Sequence, residues 1–205
     1  FQKKVDLILK KNKKFGKGFI GLGKSANVEF VSANPTGPLT VGHGRNAVLG
    51  DTISKILEWQ GFQVTREYYF NDAGRQMRVL GRSVEARYFE LLGENSNLPK
   101  DGYQGDYIIS IAKNILKKKG RDIKRSDGIF QKSAEKIIFN KIKRTLKDLG
   151  IKFDLFTNEK SFYENGDIDK LIKGLSEKGL VYARDGATWF KSSSLGKEQD
   201  RVYIK

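Results

Sequence analysis

The residues best suited to chemistry are concentrated in residues 33–45. This segment reads Ala-Asn-Pro-Thr-Gly-Pro-Leu-Thr-Val-Gly-His-Gly-Arg, and it joins a short strand-like run to a run with helical periodicity. In an open α/β sheet, ligands bind beyond the carboxyl ends of the strands. The helix would offer unpaired N–H groups and a partial positive charge to a phosphate, Gly42 and Gly44 would let a nucleotide approach the backbone, and His43 would supply a donor. The segment therefore predicts a nucleotide-binding loop.

Two other interpretations of these residues remain open at this point. In the first, His43 only caps the start of the helix and has no chemical role. The spacing Gly42-x-Gly44-x-x-Ala47 also fits the dinucleotide fingerprint, with Glu67 in the next predicted strand as its acidic residue. That fingerprint needs its first glycine directly after the strand, whereas nine residues, two of them proline, separate Ser32 from Gly42. The spacing therefore disfavours a dinucleotide-dependent dehydrogenase.

Hydrophobic periodicity predicts the elements that would position this loop. Residues 28–32 and 63–70 have strand character, and each run is followed by apolar residues at helical spacing. This strand, helix, strand, helix order predicts right-handed βαβ packing on a parallel sheet. The later predicted elements are an amphipathic helix at 131–149, a strand at 151–156, a helix at 167–178 and a hairpin around Asp185-Gly186.

Composition excludes several classes of protein. Cysteine is absent and there is one histidine, which removes disulfides, thiolate metal sites and His-rich metal centres. There is no apolar run of the roughly 20 residues that a membrane span needs, and the first residues lack a signal-peptide pattern, so we expect a cytoplasmic protein with no membrane contact. The net charge of +15 suggests a polyanionic partner, although a solvated lysine-rich surface would give the same number.

The positive charge is densest in residues 113–152, which hold 14 Lys and Arg against four acidic residues. Contact with a nucleic-acid backbone fits this stretch, and such binding would weaken steeply with salt. A solvated helix face is the alternative. Only Phe130 and Phe139 interleave with these charges, so stacking on single-stranded bases is not indicated.

Residues 28–45 resemble arginyl-tRNA synthetases around the first signature motif of class I aminoacyl-tRNA synthetases. The likeness continues in order through residues 65–74, 101–107, 177–182 and 185–190, and covers roughly residues 21 to 205. A bare His-x-Gly-His pattern also occurs in other nucleotidyl transferases. Two alternatives therefore stand beside the resemblance: another nucleotidyl transferase of this type, and a catalytically silent RNA-binding relative.

The resemblance implies a reaction. Arginine and ATP would give arginyl-adenylate and pyrophosphate by in-line attack of the carboxylate on the α-phosphate, and arginine would then pass to the 3′ end of tRNA(Arg). Mg²⁺ would accompany the phosphates, and no protein metal site is expected. The protein would contribute mainly positioning and charge stabilisation.

The resemblance also assigns roles on the nucleotide side of the site. His43 matches the histidine that stabilises the ATP phosphates, and Gly42 matches the position against which adenine packs. Gly44 belongs to the same ATP-binding run. Thr40 stands where the motif has its first histidine, so it keeps a donor but loses the ring and any positive charge. We expect its phosphate contact to be weaker and independent of pH near 7.

On the amino-acid side, Glu29 matches a carboxylate that meets the guanidinium, in line with the planar pairing of these two groups. Ser32 and Asn34 match positions that hold the α-amino group of arginine. Without the resemblance, Glu29 would be an ordinary strand-end carboxylate and Asn34 a turn residue before Pro35. Asn71, Asp72 and Gln76 match a family block to which we assign no role, although Asp72 could cap the following helix.

The fold implied is α/β: a Rossmann-type parallel sheet, the incomplete catalytic core of a class I synthetase, with an insertion and a β-hairpin. The predicted segments are 1–20, a linker from a missing N-terminal domain; 21–93, the first part of the core; 94–130, an insertion; 131–178, the continuation of the core; and 179–205, a truncated hairpin insertion. Because nothing resembles the second class I motif or an anticodon-binding domain, we expect a fragment unable to charge tRNA alone. The resemblance also implies a monomer, and the absence of coiled-coil heptads agrees with it.

Overall fold

The computed structural model describes residues 1–72 and 74–204 of the chain, so Ala73 in the 65–74 block and Lys205 lie outside the described residues. Its α-helices are α1 (Gln2–Lys11), α2 (Val41–Trp59), α3 (Gly74–Leu91), α4 (Asp106–Lys119), α5 (Ile129–Asp148), α6 (Glu159–Glu164) and α7 (Asp167–Glu177). Its strands are β1 (Ser25–Glu29), β2 (Gln63–Phe70), β3 (Leu155–Asn158), β4 (Val181–Arg184), β5 (Ala187–Phe190) and β6 (Arg201–Ile204). The chain divides into two compact units, residues 1–158 and 159–205.

The first unit is built on a parallel sheet in the order β1-β2-β3. β1 pairs with β2 so that Glu29 lies opposite Glu67, and β2 pairs with β3 so that Glu67 lies opposite Leu155. Successive side chains of a strand point to opposite faces, and here one face buries Phe30, Tyr68 and Phe70. The predicted parallel sheet is therefore confirmed, and α2 is the helix that connects β1 to β2 along the chain.

An aromatic cluster holds this sheet to the helices. The ring of Tyr68, in the central strand, is fully buried. Its centroid lies 5.4 to 5.9 Å from the rings of Phe139, Phe153 and Phe156, at the spacing at which aromatic rings attract. Its hydroxyl donates a hydrogen bond of 2.8 Å to the carbonyl of Ala33, which satisfies the one polar atom of the ring and attaches the predicted site loop to the core.

Two strands differ from the sequence prediction, each for a local reason. β1 ends at Glu29 and not at residue 32, because Val31 and Ser32 have φ of 67° and 43°, which no strand residue adopts. β3 begins at Leu155 and not at residue 151, because Ile151 is still bound to the end of α5 through its N–H and the carbonyl of Leu146. The predicted strand at residues 151–156 was therefore placed too early.

Two of the segments predicted to lie outside the core, residues 1–20 and 94–130, contain α-helices. In residues 1–20, α1 forms but buries none of its residues. In residues 94–130, α4 places Ile108, Ile111 and Ile115 in the same hydrophobic core as α3 and α5. The predicted insertion thus contributes a helix to the core, while the segment boundaries themselves stay a prediction.

The second unit contains α6, α7 and an antiparallel sheet in the order β4-β5-β6. The turn between β4 and β5 consists of Asp185 and Gly186, with φ of 51° and 70°. A two-residue hairpin turn with positive φ at both positions matches the right-handed twist of the flanking strands. The predicted hairpin is therefore confirmed.

None of the helices in residues 1–72 and 74–204 has the length and apolar character that a membrane crossing demands.

The buried hydroxyl of Tyr68 predicts a pH-dependent stability. Burial raises the pKa of Tyr68 from 10.0 to about 12, so the folded state holds this proton where the unfolded state has released it. Its contribution is complete below about pH 10 and is lost as the pH rises towards 12. We expect the unfolding free energy of the wild type, relative to Tyr68→Phe, to fall by about 1.4 kcal/mol between pH 8 and pH 11.

Urea denaturation at the two pH values measures this difference. At pH 8 the variant should be less stable by about 1 kcal/mol, because the Ala33 carbonyl loses its donor. Tyr163→Phe is the control, since the Tyr163 side chain is 60% exposed. An equal loss of stability with pH in the wild type and in Tyr68→Phe would contradict the prediction.

Candidate functional site

The loop after β1 leaves the sheet through a strained turn. The N–H of Ser32 donates to the carbonyl of Phe30 at 2.9 Å, which closes a three-residue turn around Val31. The φ of 67° at Val31 makes this a γ-turn of the strained kind, in a conformation that β-branched residues rarely adopt. The N–H of Val31 donates to Oδ1 of Asn46 on α2 at 2.5 Å. The turn is therefore bonded to the helix that follows the loop.

The loop beyond this turn lies along the carboxyl end of β2. Ser32 Oγ accepts a hydrogen bond from the N–H of Tyr69 at 3.2 Å, and Asn34 Oδ1 accepts one from the N–H of Asn71 at 2.8 Å. With the bond from Tyr68 to Ala33, three successive loop residues are bonded to β2 and the residue just after it. The carbonyl of Ala33 and the N–H groups of Tyr69 and Asn71 thereby have hydrogen-bond partners without a strand ladder.

Glu29 and Ser32, both predicted to bind arginine, are brought into contact. The hydroxyl of Ser32 donates to Oε1 of Glu29 at 2.8 Å while it accepts from Tyr69. The carboxylate of Glu29 is exposed at the end of β1, and Ser32 is partly buried. Ser32 therefore fixes the direction in which this carboxylate faces.

The side-chain amide of Asn34 is held at both ends. Its Nδ2 donates to Oε1 of Gln76 on α3 at 3.0 Å, and its Oδ1 accepts from Asn71. This pattern fixes which end of the amide is oxygen. An amide oxygen can accept two hydrogen bonds, so Asn34 keeps one acceptor site for a further donor.

Thr40 and His43 form a capping box at the start of α2. The backbone N–H of Thr40 donates to Nδ1 of His43 at 3.0 Å, and the Thr40 hydroxyl lies 3.0 Å from the same nitrogen. Because Nδ1 accepts the backbone hydrogen bond, the ring proton of neutral His43 is assigned to Nε2. The ring is thereby oriented, with one N–H left to donate. The alternative of a helix cap and the predicted role as a donor are thus compatible.

These side chains border a cavity of about 430 Å³. Its lining residues are Ala33, Asn34, Thr36, Gly37, Pro38, Thr40, His43, Gln76, Tyr103 and Tyr107. Of the predicted site residues, the structure brings Asn34, Thr40 and His43 together here. Glu29, Ser32, Gly42 and Gly44 do not border this cavity.

Tyr103, Tyr107 and Thr36 are cavity residues to which sequence analysis gave no role. The hydroxyl of Tyr107 donates to the carbonyl of Thr36 at 2.9 Å, and burial raises the pKa of Tyr107. Both tyrosines belong to the 101–107 block, and Tyr107 begins the core face of α4. The resemblance includes this block, but it gives neither tyrosine a role, and both lie in the predicted insertion at residues 94–130.

Gly42 and Gly44 have no packing reason to be glycine. A Cβ added at Gly44 would meet nothing within 4 Å, and one at Gly42 would meet only Thr40 Oγ1 at 3.6 Å. Gly50 on the same helix differs, since its Cβ would lie 2.2 Å from the ring of Phe30. Glycine inside a helix costs about 1 kcal/mol relative to alanine. The open space beside Gly42 and Gly44 is thus free for a ligand.

Glu67 is engaged within the sheet. Its carboxylate accepts hydrogen bonds from Thr157 on β3 and Asn27 on β1, and these bonds, that of Thr157 first, hold its pKa below the ordinary value. Gly42 lies inside α2, beyond the loop that follows β1. Neither feature fits a dinucleotide fingerprint, in which the glycine turn follows the strand directly and the acid binds a ribose.

Across residues 1–72 and 74–204, no three His, Cys, Asp or Glu side chains cluster so as to hold a metal ion.

Comparison with known proteins identifies the family of the chain. The family model described as tRNA synthetases class I (R), catalytic domain, matches residues 4–205. The chain belongs to the family of class I arginyl-tRNA synthetase catalytic domains. The arginine–tRNA ligase of Desulfotalea psychrophila is 53% identical over 193 residues, and that of Chlorobium phaeobacteroides strain BS1 is 49% identical over 210 residues.

Solved structures agree with this membership. A crystal structure described as an arginyl-tRNA synthetase from Campylobacter jejuni superposes with a TM-score of 0.86 at 34% identity, over 99% of this chain and 45% of that one. The arginyl-tRNA synthetase of Thermus thermophilus gives a TM-score of 0.62 over 96% of this chain and 35% of its own length, at 22% identity, and so supports the fold alone. The predicted fold class, the core of a class I synthetase, is therefore confirmed.

The chain spans little more than a third of the length of the two ligases. It covers 35% of the Desulfotalea relative, with 93% of this chain matched, and 38% of the Chlorobium relative, with 99% matched. The roles of individual site residues stay predictions.

The glycines of α2 provide a test of the open space. We expect Gly44→Ala to raise the unfolding free energy by up to about 1 kcal/mol, since it improves helix propensity and meets no neighbour. Gly50→Ala is the matched comparison on the same helix. It should destabilise the fold by about 1–3 kcal/mol, because its Cβ would overlap the Phe30 ring. Urea denaturation of the two variants measures both values, and a destabilised Gly44→Ala would contradict the assignment of open space.

Proposed function

We propose that this chain supplies the ATP- and arginine-binding part of an arginine–tRNA ligase, an enzyme that activates arginine with ATP and transfers it to tRNA(Arg). The single observation that carries the proposal is the capping box of Thr40 and His43 at the start of α2. It orients a ring N–H and a helix N-terminus at the edge of one cavity. Both features attract phosphate.

His43 is proposed as the catalytic donor. As the arginine carboxylate attacks the α-phosphate, negative charge grows on the phosphate oxygens, and Nε2–H of His43 would stabilise it without reorganisation. A single preorganised donor of this kind contributes about 3 kcal/mol to the transition state. Thr40 is proposed to orient His43 and to offer its hydroxyl to the same phosphates. The open space beside Gly42 and Gly44 is proposed to receive the nucleotide.

Glu29 and Asn34 are proposed to hold the two ends of arginine. The carboxylate of Glu29 suits the planar guanidinium, and the remaining acceptor site of Asn34 Oδ1 suits the α-ammonium group. Ser32 was expected to hold that same ammonium group, but it is bonded directly to Glu29. One extended arginine cannot place its opposite ends on two side chains in mutual contact. We therefore propose that Ser32 orients Glu29.

The remaining partners are proposed on chemical grounds. Mg²⁺ would arrive bound to the ATP phosphates, since the described residues offer no carboxylate cluster for it. We propose a monomer that acts in the cytoplasm.

The surface of α4 and α5 is proposed to contact tRNA. Lys118 and Lys119 on α4 and Lys136 on α5 border a shared groove of about 220 Å³, and all three side chains are exposed. These cations lie in the most basic stretch of the chain. Phosphates are the chemical group that such a surface recognises.

Calorimetric binding of adenylate analogues to the purified chain tests the proposed function. We expect a non-hydrolysable arginyl-adenylate analogue to bind at least tenfold more tightly than the lysyl and glutaminyl analogues, because Glu29 selects a planar cation. Glu29→Gln should remove this preference, whereas Glu198→Gln, an exposed acid of the second unit, should not. The same chain should transfer no arginine to tRNA.

Each other outcome contradicts part of the proposal. Equal binding of the three analogues would reduce the site to a nucleotide site, as in another nucleotidyl transferase. Binding of tRNA without any binding of analogue would favour the silent RNA-binding relative. Measurable charging of tRNA would overturn the expected inactivity.

Salt dependence tests the proposed tRNA surface. Replacing Lys117, Lys118 and Lys119 by Ala should weaken tRNA binding and reduce the slope of log K against log salt by about 2 to 3. The control replaces Lys170, Lys173 and Lys178, around α7. Fluorescence titrations at several salt concentrations give both slopes. An equal effect of the two triple variants would show that net charge alone, and not this surface, drives the binding.

A further inference from the structure

The strained turn after β1 points to a residue that connects the two proposed substrate sites. Val31 and Ser32 both have positive φ. Among the non-glycine residues of positive φ in residues 1–72 and 74–204, Val31 alone is β-branched. Such a residue pays for this conformation with backbone strain and keeps it only where surrounding contacts impose it.

Three contacts hold the residues of the turn. Phe30, before the turn, is fixed by packing its ring against Gly50 and by the hydrogen bond from its N–H to the carbonyl of Glu67 at 3.2 Å. Val31 itself is held by the hydrogen bond from its N–H to Oδ1 of Asn46. The bond that closes the turn joins Ser32 to Phe30. The bond to Asn46, by contrast, holds the backbone N–H of Val31 itself.

The turn determines where the proposed arginine-binding groups lie. Ser32 reaches Glu29, three residues earlier, and the N–H of Tyr69 on the next strand at the same time. If Val31 relaxed to an extended conformation, the chain would continue along the direction of β1, and successive side chains would alternate faces. Ser32 could then no longer hold the carboxylate of Glu29.

Asn46 lies one helical turn after His43, on the helix whose N-terminus is proposed to receive the ATP phosphates. Residues three apart on a helix lie on the same side of it. We propose that Asn46 is a positioning residue: by holding the strained turn at Val31, it sets the geometry of Glu29 and Ser32 and links the nucleotide helix to the arginine side of the site. This inference rests on the proposed function for its consequence in binding, and on the backbone geometry alone for its mechanism.

A double-mutant cycle separates positioning from a general structural role. Asn46→Ala should weaken binding of the arginyl-adenylate analogue by about tenfold, because Val31 would relax. Glycine adopts positive φ without strain, so Val31→Gly in the Asn46→Ala background should restore binding to within about threefold of the wild type. Asn46→Asp keeps an acceptor for the Val31 N–H and should bind like the wild type. Asn140→Ala, an exposed asparagine on α5, is the matched control.

Recovery of analogue binding in the double variant distinguishes a positioning role of Asn46 from a merely structural one. A merely structural role for Asn46 predicts the opposite, since a second substitution to a flexible glycine would add to the damage. Failure of Val31→Gly to restore binding in the Asn46→Ala background would therefore overturn the proposal.

A backbone measurement tests the same inference without any ligand. Positive φ brings the amide proton close to the Hα of its own residue, so Val31 and Ser32 should show strong intraresidue amide–Hα NOEs in the wild type and in Asn46→Asp. Asn46→Ala should lose them while the NOEs of Asp185, in the second unit, persist. Unchanged NOEs at Val31 in Asn46→Ala would overturn the positioning role. Should the wild type bind none of the analogues, the proposed function fails and the NOEs still decide the role of Asn46.

Discussion

The site depends on the attachment of one loop to the carboxyl end of β2. Three consecutive loop residues are bonded there: Ser32 to the N–H of Tyr69, Ala33 to the hydroxyl of Tyr68, and Asn34 to the N–H of Asn71. Two of these bonds use side-chain acceptors where a strand would have used its carbonyls. The loop can therefore follow β2 without being a strand, and its side chains are free of strand alternation. That freedom lets neighbouring residues of the loop act on one site.

This attachment also explains why the core and the site cannot be treated separately. Tyr68 donates to the loop from the centre of the aromatic cluster, so the packing of Phe139, Phe153 and Phe156 fixes the position of Ala33. Interiors packed at this density transmit small displacements. The hydroxyl of Tyr107 on α4 also bonds the loop, at the carbonyl of Thr36. The loop is thus held by two tyrosines, Tyr68 in the hydrophobic core and Tyr107 packed against it.

Sequence reasoning predicted the elements whose signals are local. Periodicity gave the helix at residues 131–149 to within two residues, and Asp185-Gly186 gave the hairpin, because each depends on neighbouring residues. It failed at the end of β1, since nothing local distinguishes Val31 from a strand residue. The left-handed turn there depends on Asn46, fifteen residues away on α2. A contact across the fold overrode the strand propensity of a valine.

The candidate site likewise contains residues that local sequence predicted and residues that only the fold brings to it. The motif placed Thr40, His43 and Asn34, which border one cavity, because their spacing is fixed by the start of a single helix and the loop before it. Tyr107 comes to that cavity from α4, and Tyr103 from the segment just before it. The packing of Ile108 and Ile111 in the core holds α4 in place. Periodicity describes residues that are neighbours along the chain. It cannot show which residues far apart in the sequence come together in the fold. The direct bond between Ser32 and Glu29 likewise appears only once the turn is known.

The geometry of Thr40 gives a physical reason for tolerating threonine where the motif has a histidine. The backbone N–H of Thr40 alone suffices to hold Nδ1 of His43, and a backbone group is present whatever the side chain. The Thr40 hydroxyl and the Thr40 N–H both face the lone pair of His43 Nδ1. The hydroxyl proton can therefore turn to a phosphate oxygen while the N–H continues to hold the ring. The orientation of His43 therefore survives when Thr40 donates elsewhere. In this arrangement the first position of the motif contributes through its place at the helix N-terminus more than through a charge of its own, and threonine, one of the preferred residues at an N-cap, meets that requirement.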